Sequence, residues 1–207
     1  MSAVPLRAGV LIFDRVEELD FVGPWEVLTM ARLSGLAVEP MLVAATLDPV
    51  RCAKGMRVLP DVTFADAPSF DIIVVPGGQG TRTGVEDEAL AGYIAKAAGQ
   101  ATWITSVCTG AALLGAAGAV DGRTLTTHWN AMPFVAAHLA ASTLVDDRRY
   151  VHDGNVLSAA GVSAGIDMTL YLVGMIWGED AARNVQRSME YYPEPPFGGV
   201  HPRLNRR

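Results

Sequence analysis

Cysteine is scarce in this chain, because its 207 residues include only Cys52 and Cys108. Two cysteines cannot build a disulfide scaffold, and their separation does not match the CxxC spacing of zinc or thioredoxin-like redox sites. Such sparing use of cysteine is typical of a reducing compartment. Residues 1–10 also lack the charged and apolar segments of a secretory signal, so we expect a cytoplasmic protein.

Charge and long apolar runs are scarce as well. Only 18% of the residues are charged, and 16 Lys plus Arg against 22 Asp plus Glu leave a net charge of −6, which disfavours binding to nucleic acid phosphates. The most apolar stretch, residues 166–177, is about two-thirds of the ~18 residues that a spanning helix needs, and Asp167 interrupts it. We therefore expect neither a nucleic acid partner nor a membrane span.

Sequence motifs for bound cofactors are missing too. No GxGxxG follows the first predicted strand, and the Gly-Gly-Gln-Gly at residues 77–80 is not followed by the Gly, Lys and Ser/Thr of a phosphate loop. The histidines match no metal-binding spacing; they are His128, His138, His152 and His201. We expect no metal and no cofactor.

The chain does contain an alternation of strand-like and helix-like segments, which predicts an α/β sheet with helices on its faces. The main strands are predicted at residues 8–13, 41–45, 71–75 and 102–107. Residues 71–75 are apolar on both faces, as a central parallel strand requires. A helix is predicted to begin near Pro24 and to bury Leu28 and Leu33 before Gly35 ends it.

This pattern continues without repeat over residues 1–191, which we predict to be a single α/β domain. Residues 192–207 differ, because they begin with Tyr-Pro-Glu-Pro-Pro-Phe, a sequence that forms neither a helix nor a central strand. We predict that they form a Pro-rich carboxy-terminal tail packed on the surface.

Cys108 follows a predicted strand and precedes an Ala/Leu-rich helix. An open parallel sheet binds its ligands at this position, at the carboxyl end of a strand. The dipole of the following helix is expected to lower the pKa of the thiol from about 8.5 to about 7–8. The residue types favour a nucleophile, and a buried, unreactive cysteine is the alternative.

Three further residues, Asp20, Gly77 and Gly78, are expected at the same edge of the sheet. Asp20, placed between the first strand and its helix, can pair with Cys108 or serve only as a first-turn charge. Gly77 and Gly78 end the central strand, where their N–H groups can bind a developing anion or form a plain tight turn. His128 follows two threonines and can be a base, an orienting group or a structural residue.

Five segments together resemble the ThiJ/PfpI superfamily; they are residues 19–24, 71–78, 106–110, 126–129 and 165–167. The likeness is strongest to the isocyanide (isonitrile) hydratase branch, which carries Asp at the acid position and Cys-Thr-Gly after the strand. The resemblance implies a flavodoxin-like three-layer α/β sandwich, a mostly parallel central sheet, a nucleophile elbow and a homodimer.

The resemblance also implies roles for individual residues. The nucleophile falls on Cys108, its carboxyl partner on Asp20 and a neighbouring hydroxyl on Thr109. The backbone donors of an oxyanion-type site fall on Gly77, Gly78 and Thr109. His128 matches a family histidine near the cysteine, and Trp129 is expected to line the site with it.

One departure from the superfamily pattern separates its branches. Protease-like members have a histidine directly after the nucleophile, where this chain has Thr109, and threonine cannot accept a proton at neutral pH. Asp20 stands where glyoxalase- and deglycase-type members usually have Glu. The prediction is a cofactor-independent hydro-lyase that converts a small isocyanide, R–NC, to its N-formamide through a Cys108 thioimidate.

Other functions stay open at this point. One is a glyoxalase or deglycase, and a second is a redox sensor in which Cys108 is oxidised. A third is a ligand-sensing domain similar to that of AraC-type regulators, although no helix-turn-helix segment is visible in the chain.

Overall fold

A computed structural model of the protein describes residues 4–197. The strands are β1 Leu6–Leu11, β2 Val38–Ala44, β3 Val50–Arg51, β4 Arg57–Val58, β5 Val62–Thr63, β6 Ile72–Val75, β7 Trp103–Val107, β8 Thr124–Thr126, β9 Thr143–Val145, β10 Tyr150–Asp153 and β11 Val156–Ala159. The helices are α1 Glu18–Leu33, α2 Thr81–Gly84, α3 Glu88–Gln100, α4 Gly110–Ala116, α5 Met132–Ala136, α6 Ala164–Trp177 and α7 Glu179–Ser188.

Seven strands form the central sheet in the order β10-β11-β7-β6-β1-β2-β5. Every pair in it is parallel except β10 with β11. Two small pairs lie outside it, an antiparallel β3–β4 and a parallel β8–β9. The predicted fold class is therefore confirmed, with one antiparallel strand at the sheet edge.

The sheet separates two hydrophobic cores. Ile72 and Val74 of β6 face a core shared with α1, α6 and α7, whereas Ile73 and Val75 face a core shared with α3, α4 and α5. Alternate side chains of a strand point to opposite faces, so a strand covered on both sides must be apolar throughout. This arrangement confirms the three-layer sandwich and the central position of β6.

The first helix differs from its prediction. It begins at Glu18 and contains Pro24 in its interior, where the ring removes the hydrogen bond to the carbonyl four residues earlier. Glu18 and Asp20 lie in the first turn, where negative charge interacts favourably with the helix dipole. Asp20 is thus part of the helix, and Leu33, predicted in the core, is 75% exposed.

The chain after α7 forms no helix or strand as far as the structure describes it, and its residues 192–197 are exposed. Residues 198–207 of the predicted tail, with His201, lie outside the described residues. The division into a 1–191 domain and a packed tail stays a prediction. No helix within residues 4–197 combines the length and apolarity needed to cross a bilayer.

Candidate active site

Cys108 lies in a sharp turn between β7 and α4. Its φ of 57° is left-handed, a conformation that a residue with a side chain adopts only when its surroundings hold it there. The Cys108 N–H donates to the carbonyl of Ala159 at 3.1 Å, and its carbonyl accepts from the Thr127 hydroxyl at 2.6 Å. Both backbone groups are therefore fixed, and the predicted sharp turn between strand and helix at Cys108 is confirmed.

Two glycines allow the loop after β6 to pack against this turn. A Cβ on Gly110 would lie 2.0 Å from the carbonyl oxygen of Val75, and a Cβ on Gly77 would lie 2.5 Å from the amide nitrogen of Thr109. Real Cβ atoms do not approach backbone so closely. The Gly77 backbone thus lies in direct contact with the residue that follows Cys108.

Replacing Gly77 with alanine is expected to destabilise the protein by about 1–3 kcal/mol, since overpacking at a fixed backbone contact costs this much. We also expect it to reduce activity, because the new methyl group displaces Thr109. Gly92→Ala is the matched control. Gly92 lies within α3 with nothing near its missing Cβ, so alanine there is expected to stabilise by about 0.5–1 kcal/mol. Urea unfolding of both variants measures their free energies of unfolding. Equal effects of the two substitutions would contradict the close contact between Gly77 and Thr109.

Asp20 is fully buried beneath the elbow. Its Oδ2 accepts the Gly77 N–H at 3.0 Å, while its Oδ1 has no hydrogen-bond partner among residues 4–197 that meets normal geometry. Burial raises the pKa of Asp20 to about 7, although the Gly77 N–H and the Cys108 side chain favour its charged form. Asp20 is therefore a carboxyl group that exchanges its proton near neutral pH.

Cys108 is 9% exposed, and its thiol interacts with Asp20. Burial is the main cause that raises its pKa, and the negative charge of Asp20 adds to this, while hydrogen bonds from Thr109 oppose it. The expectation of a pKa lowered to about 7–8 is wrong, because the cost of burying charge exceeds the ~0.3–1 kcal/mol of a helix dipole. The two acids together keep at least one proton at neutral pH.

The raised pKa of Asp20 makes stability depend on pH. An unfolded aspartate with the model value of 3.8 has lost its proton where the folded Asp20, with a pKa of about 7, still holds it. The folded state therefore binds more protons between these values, and its stability falls as pH rises from about 4 to about 7. Burying this carboxyl costs up to about 4 kcal/mol above that range, at 1.36 kcal/mol per pKa unit.

Asp20→Asn removes this titration but keeps an oxygen for the Gly77 N–H. We expect its free energy of unfolding, relative to wild type, to rise by up to about 3 kcal/mol between pH 4.5 and pH 8. Urea titrations at the two pH values measure the difference. Asp48→Asn, at an exposed carboxyl, should show no such rise, and a flat result for Asp20→Asn would contradict the buried, titrating carboxyl.

Thr109 connects the elbow to the loop after β6. Its hydroxyl accepts the Gly78 N–H and the Thr81 hydroxyl, both at 3.0 Å, while its backbone N–H forms a hydrogen bond with Cys108. The Gly77 and Gly78 N–H groups, expected as oxyanion donors, therefore have acceptors within the protein. A bound anion has to compete with these acceptors or use the Thr109 N–H.

Cys108 opens into a cavity of about 190 Å³; its lining is Glu17, Gly78, Gln79, Arg82, Cys108, Thr109, His128, Asn130, Ala131 and Val162. His128, expected at the site, lines this cavity, and its Nδ1 accepts the Asn130 N–H at 3.2 Å. Trp129, expected beside it, is 45% exposed and outside the lining. The 3-10 turn at residues 129–131 gives the cavity Asn130 and Ala131 instead.

A protein-family comparison gives a match to the DJ-1/PfpI family over residues 6–175. The chain belongs to this family. It is 42% identical over 197 residues to the isonitrile hydratase of Pseudomonas putida, covering 95% of this chain and 83% of that one. The match to the family and to a hydratase confirms the resemblance.

Two other relatives show the breadth of the family. A ThiJ/PfpI family protein from Pseudomonas syringae is similar in structure, with a TM-score of 0.85, 31% identity, and coverage of 93% of this chain and 78% of that one. A glutathione-independent glyoxalase from Caenorhabditis elegans is 26% identical over 178 residues, covering 85% of this chain and 91% of that one. Family membership alone therefore does not decide the reaction.

Six residues of the cavity lining were not predicted from the sequence; they are Glu17, Gln79, Arg82, Asn130, Ala131 and Val162. Glu17 forms an ion pair with Lys54 of the β3–β4 hairpin. Val162 has a φ of 46°, which strains a β-branched residue. Gln79 directly follows the Pro-Gly-Gly motif, Arg82 lies three residues further on, and Asn130 follows His128-Trp129. Proximity to a motif was therefore their only signal.

The side chains around Cys108 do not form a set of metal ligands. Within the described range 4–197, no group of three or more His, Cys, Asp or Glu residues is placed to hold an ion. Cys52, the second cysteine, is buried outside this cavity.

Proposed function

We propose that this DJ-1/PfpI protein hydrates small isocyanides to N-formamides, using Cys108 as nucleophile and Asp20 as proton donor. The buried Asp20–Cys108 pair, whose thiol opens into a cavity of about 190 Å³, carries this proposal. The 42% identity to an isonitrile hydratase supports the choice of substrate.

The first step forms one bond to sulfur and one to hydrogen on the same carbon. An isocyanide carbon has a lone pair that accepts a proton, and it then accepts a nucleophile. The pair with one proton and one negative charge supplies both. Its proton rests on Cys108, the weaker acid, so Asp20 accepts it from the thiol and passes it to the isocyanide carbon while the Cys108 thiolate donates its electron pair. The product is the thioimidate Cys–S–CH=N–R, with no change in oxidation state.

The second step consumes one water molecule. Water adds to the thioimidate carbon, and the ionised Asp20 accepts a proton from it. The remaining proton of the added water moves to the nitrogen, the C–S bond breaks, the sulfur leaves as thiolate, and R–NH–CHO is released. The pair returns to its starting state with one proton, so no cofactor is consumed.

The neighbouring backbone groups position these reactants. In this proposal the Gly77 N–H holds the Asp20 carboxyl towards Cys108, and the Gly78 N–H holds the Thr109 hydroxyl. The Thr109 N–H, next to the sulfur, stabilises the thiolate as it leaves. Gly77 and Gly78 therefore act on the reacting pair through hydrogen bonds to Asp20 and Thr109, and His128 forms part of the substrate cavity.

A glyoxalase reaction is the alternative that the C. elegans relative supports. Supplying the purified protein with an aryl isocyanide and, separately, with methylglyoxal distinguishes the two. We expect N-formamide by mass spectrometry and no hydroxy acid. Hydroxy acid without formamide would replace the hydratase by the glyoxalase. If neither product forms and dilute peroxide oxidises Cys108, a redox sensor would be favoured.

We further propose that the protein acts in the cytoplasm as a homodimer. Exposed apolar side chains on α1 and the β3–β4 hairpin, among them Leu19 and Met56, support an interface on this side of the molecule. Light scattering after gel filtration should give twice the chain mass, and a monomer mass would contradict the dimer.

A further inference from the structure

One cavity side chain has a charge that the hydration step does not use. Arg82 of α2 lines the same cavity as Cys108. Its guanidinium carbon lies 3.6 Å from the centre of the Phe134 ring, which is the geometry of a cation stacked on an aromatic face. The stack holds Arg82 against α5 and covers one face of the guanidinium group.

The edge of the guanidinium group stays available. Within residues 4–197, the Arg82 side chain forms no ion pair and donates no hydrogen bond to the protein. Glu17, the carboxylate in the cavity lining, is instead paired with Lys54. A stacked arginine keeps its in-plane N–H donors free for a planar, bidentate acceptor.

We propose that Arg82 selects substrates that carry a carboxylate, so that the preferred substrates are isocyano-carboxylates. This inference rests on the proposed hydration reaction. The isocyano carbon meets Cys108 while the carboxylate meets Arg82, since both residues line one small cavity. The product, an N-formyl amino acid, keeps the carboxylate and is also recognised by Arg82.

The kinetic test compares isocyanoacetate with its methyl ester, which has the same reacting group but no charge. For wild type we expect kcat/KM at least about tenfold higher for isocyanoacetate, the scale of one charge-assisted hydrogen bond. In Arg82→Gln the ratio of the two values should fall about tenfold or more, mainly through KM. In Arg82→Lys, which keeps the charge but not the bidentate geometry, it should fall by an intermediate amount.

Arg32→Gln is the matched control, because Arg32 is an exposed arginine in the last turn of α1, while the site lies at the other end of that helix. This substitution should leave kcat/KM unchanged for both isocyanoacetate and its methyl ester. A ratio that does not change in Arg82→Gln, or a wild type that prefers the ester, would overturn the assignment.

A binding measurement separates this inference from the proposed reaction. Calorimetry on Cys108→Ala compares N-formylglycine with its methyl ester, with and without Arg82→Gln. We expect the acid to bind about tenfold more tightly than the ester only when Arg82 is present. If wild type hydrates neither isocyanide, the hydratase proposal fails while this result still judges Arg82. Equal binding of acid and ester overturns the role of Arg82 whatever the reaction.

Discussion

Cys108→Ala is expected to lower kcat/KM for an aryl isocyanide by at least about 10³-fold, because the covalent route is lost with its nucleophile. Cys108→Ser should be almost as inactive, since a hydroxyl in this buried position does not ionise at neutral pH. The fold should persist, because the elbow is held by backbone contacts to Ala159 and Thr127. Formamide release followed by mass spectrometry measures the loss.

Cys52→Ala controls for general effects of removing a buried thiol. Cys52 lies on the β3–β4 hairpin and does not line the Cys108 cavity, so formamide release should continue at the wild-type rate. If Cys108→Ala kept full activity, or if Cys52→Ala lost it, the nucleophile would be assigned to the wrong residue.

Asp20→Asn is expected to lower kcat/KM by about 10²–10⁴-fold, the usual contribution of general acid–base catalysis. Asparagine accepts the Gly77 N–H but cannot give a proton to the isocyanide carbon. Asp20→Glu should also be impaired, because the longer side chain does not fit the fully buried position. Glu26→Gln, at an exposed carboxyl of the same helix, should leave the rate unchanged.

The pH dependence identifies the role of Asp20 more sharply than the loss of rate. Because the pKa of Asp20 is raised to about 7, the pair loses its first proton there and reaches the singly charged state that attacks the substrate. Wild-type kcat/KM should therefore rise as pH increases through about 7. In Asp20→Asn the rise should move to higher pH, where only the thiol titrates. An unchanged profile would contradict the coupled pair.

Much of the scaffold could be predicted from local patterns. Residues 72–75 are apolar at every position and are followed by Pro-Gly-Gly. Cys108 follows a strand-like segment and precedes Gly110. The sequence therefore located the strand ends that carry the site. The start of α1 could not be predicted, because Pro24 is a strong local signal for the first turn of a helix. The acidic residues that begin the helix at Glu18 carried a weaker signal.

The chemistry of the site depended on contacts between distant segments. The pKa values of Asp20 and Cys108 are raised mainly by burial, which no spacing of residues reports. Arg82 and Phe134 belong to separate short helices, and only the fold brings them together. Gly77 and Gly78 were found from their motif, but their hydrogen-bond partners required coordinates.

The most direct measurement is a single turnover with protein in excess over an aryl isocyanide, quenched in acid and analysed by intact-protein and peptide mass spectrometry. We expect a transient species on Cys108 that is heavier by the whole mass of the isocyanide and that decays as N-formamide appears. Formamide that forms while Cys108 stays unmodified at every time point would contradict the covalent mechanism.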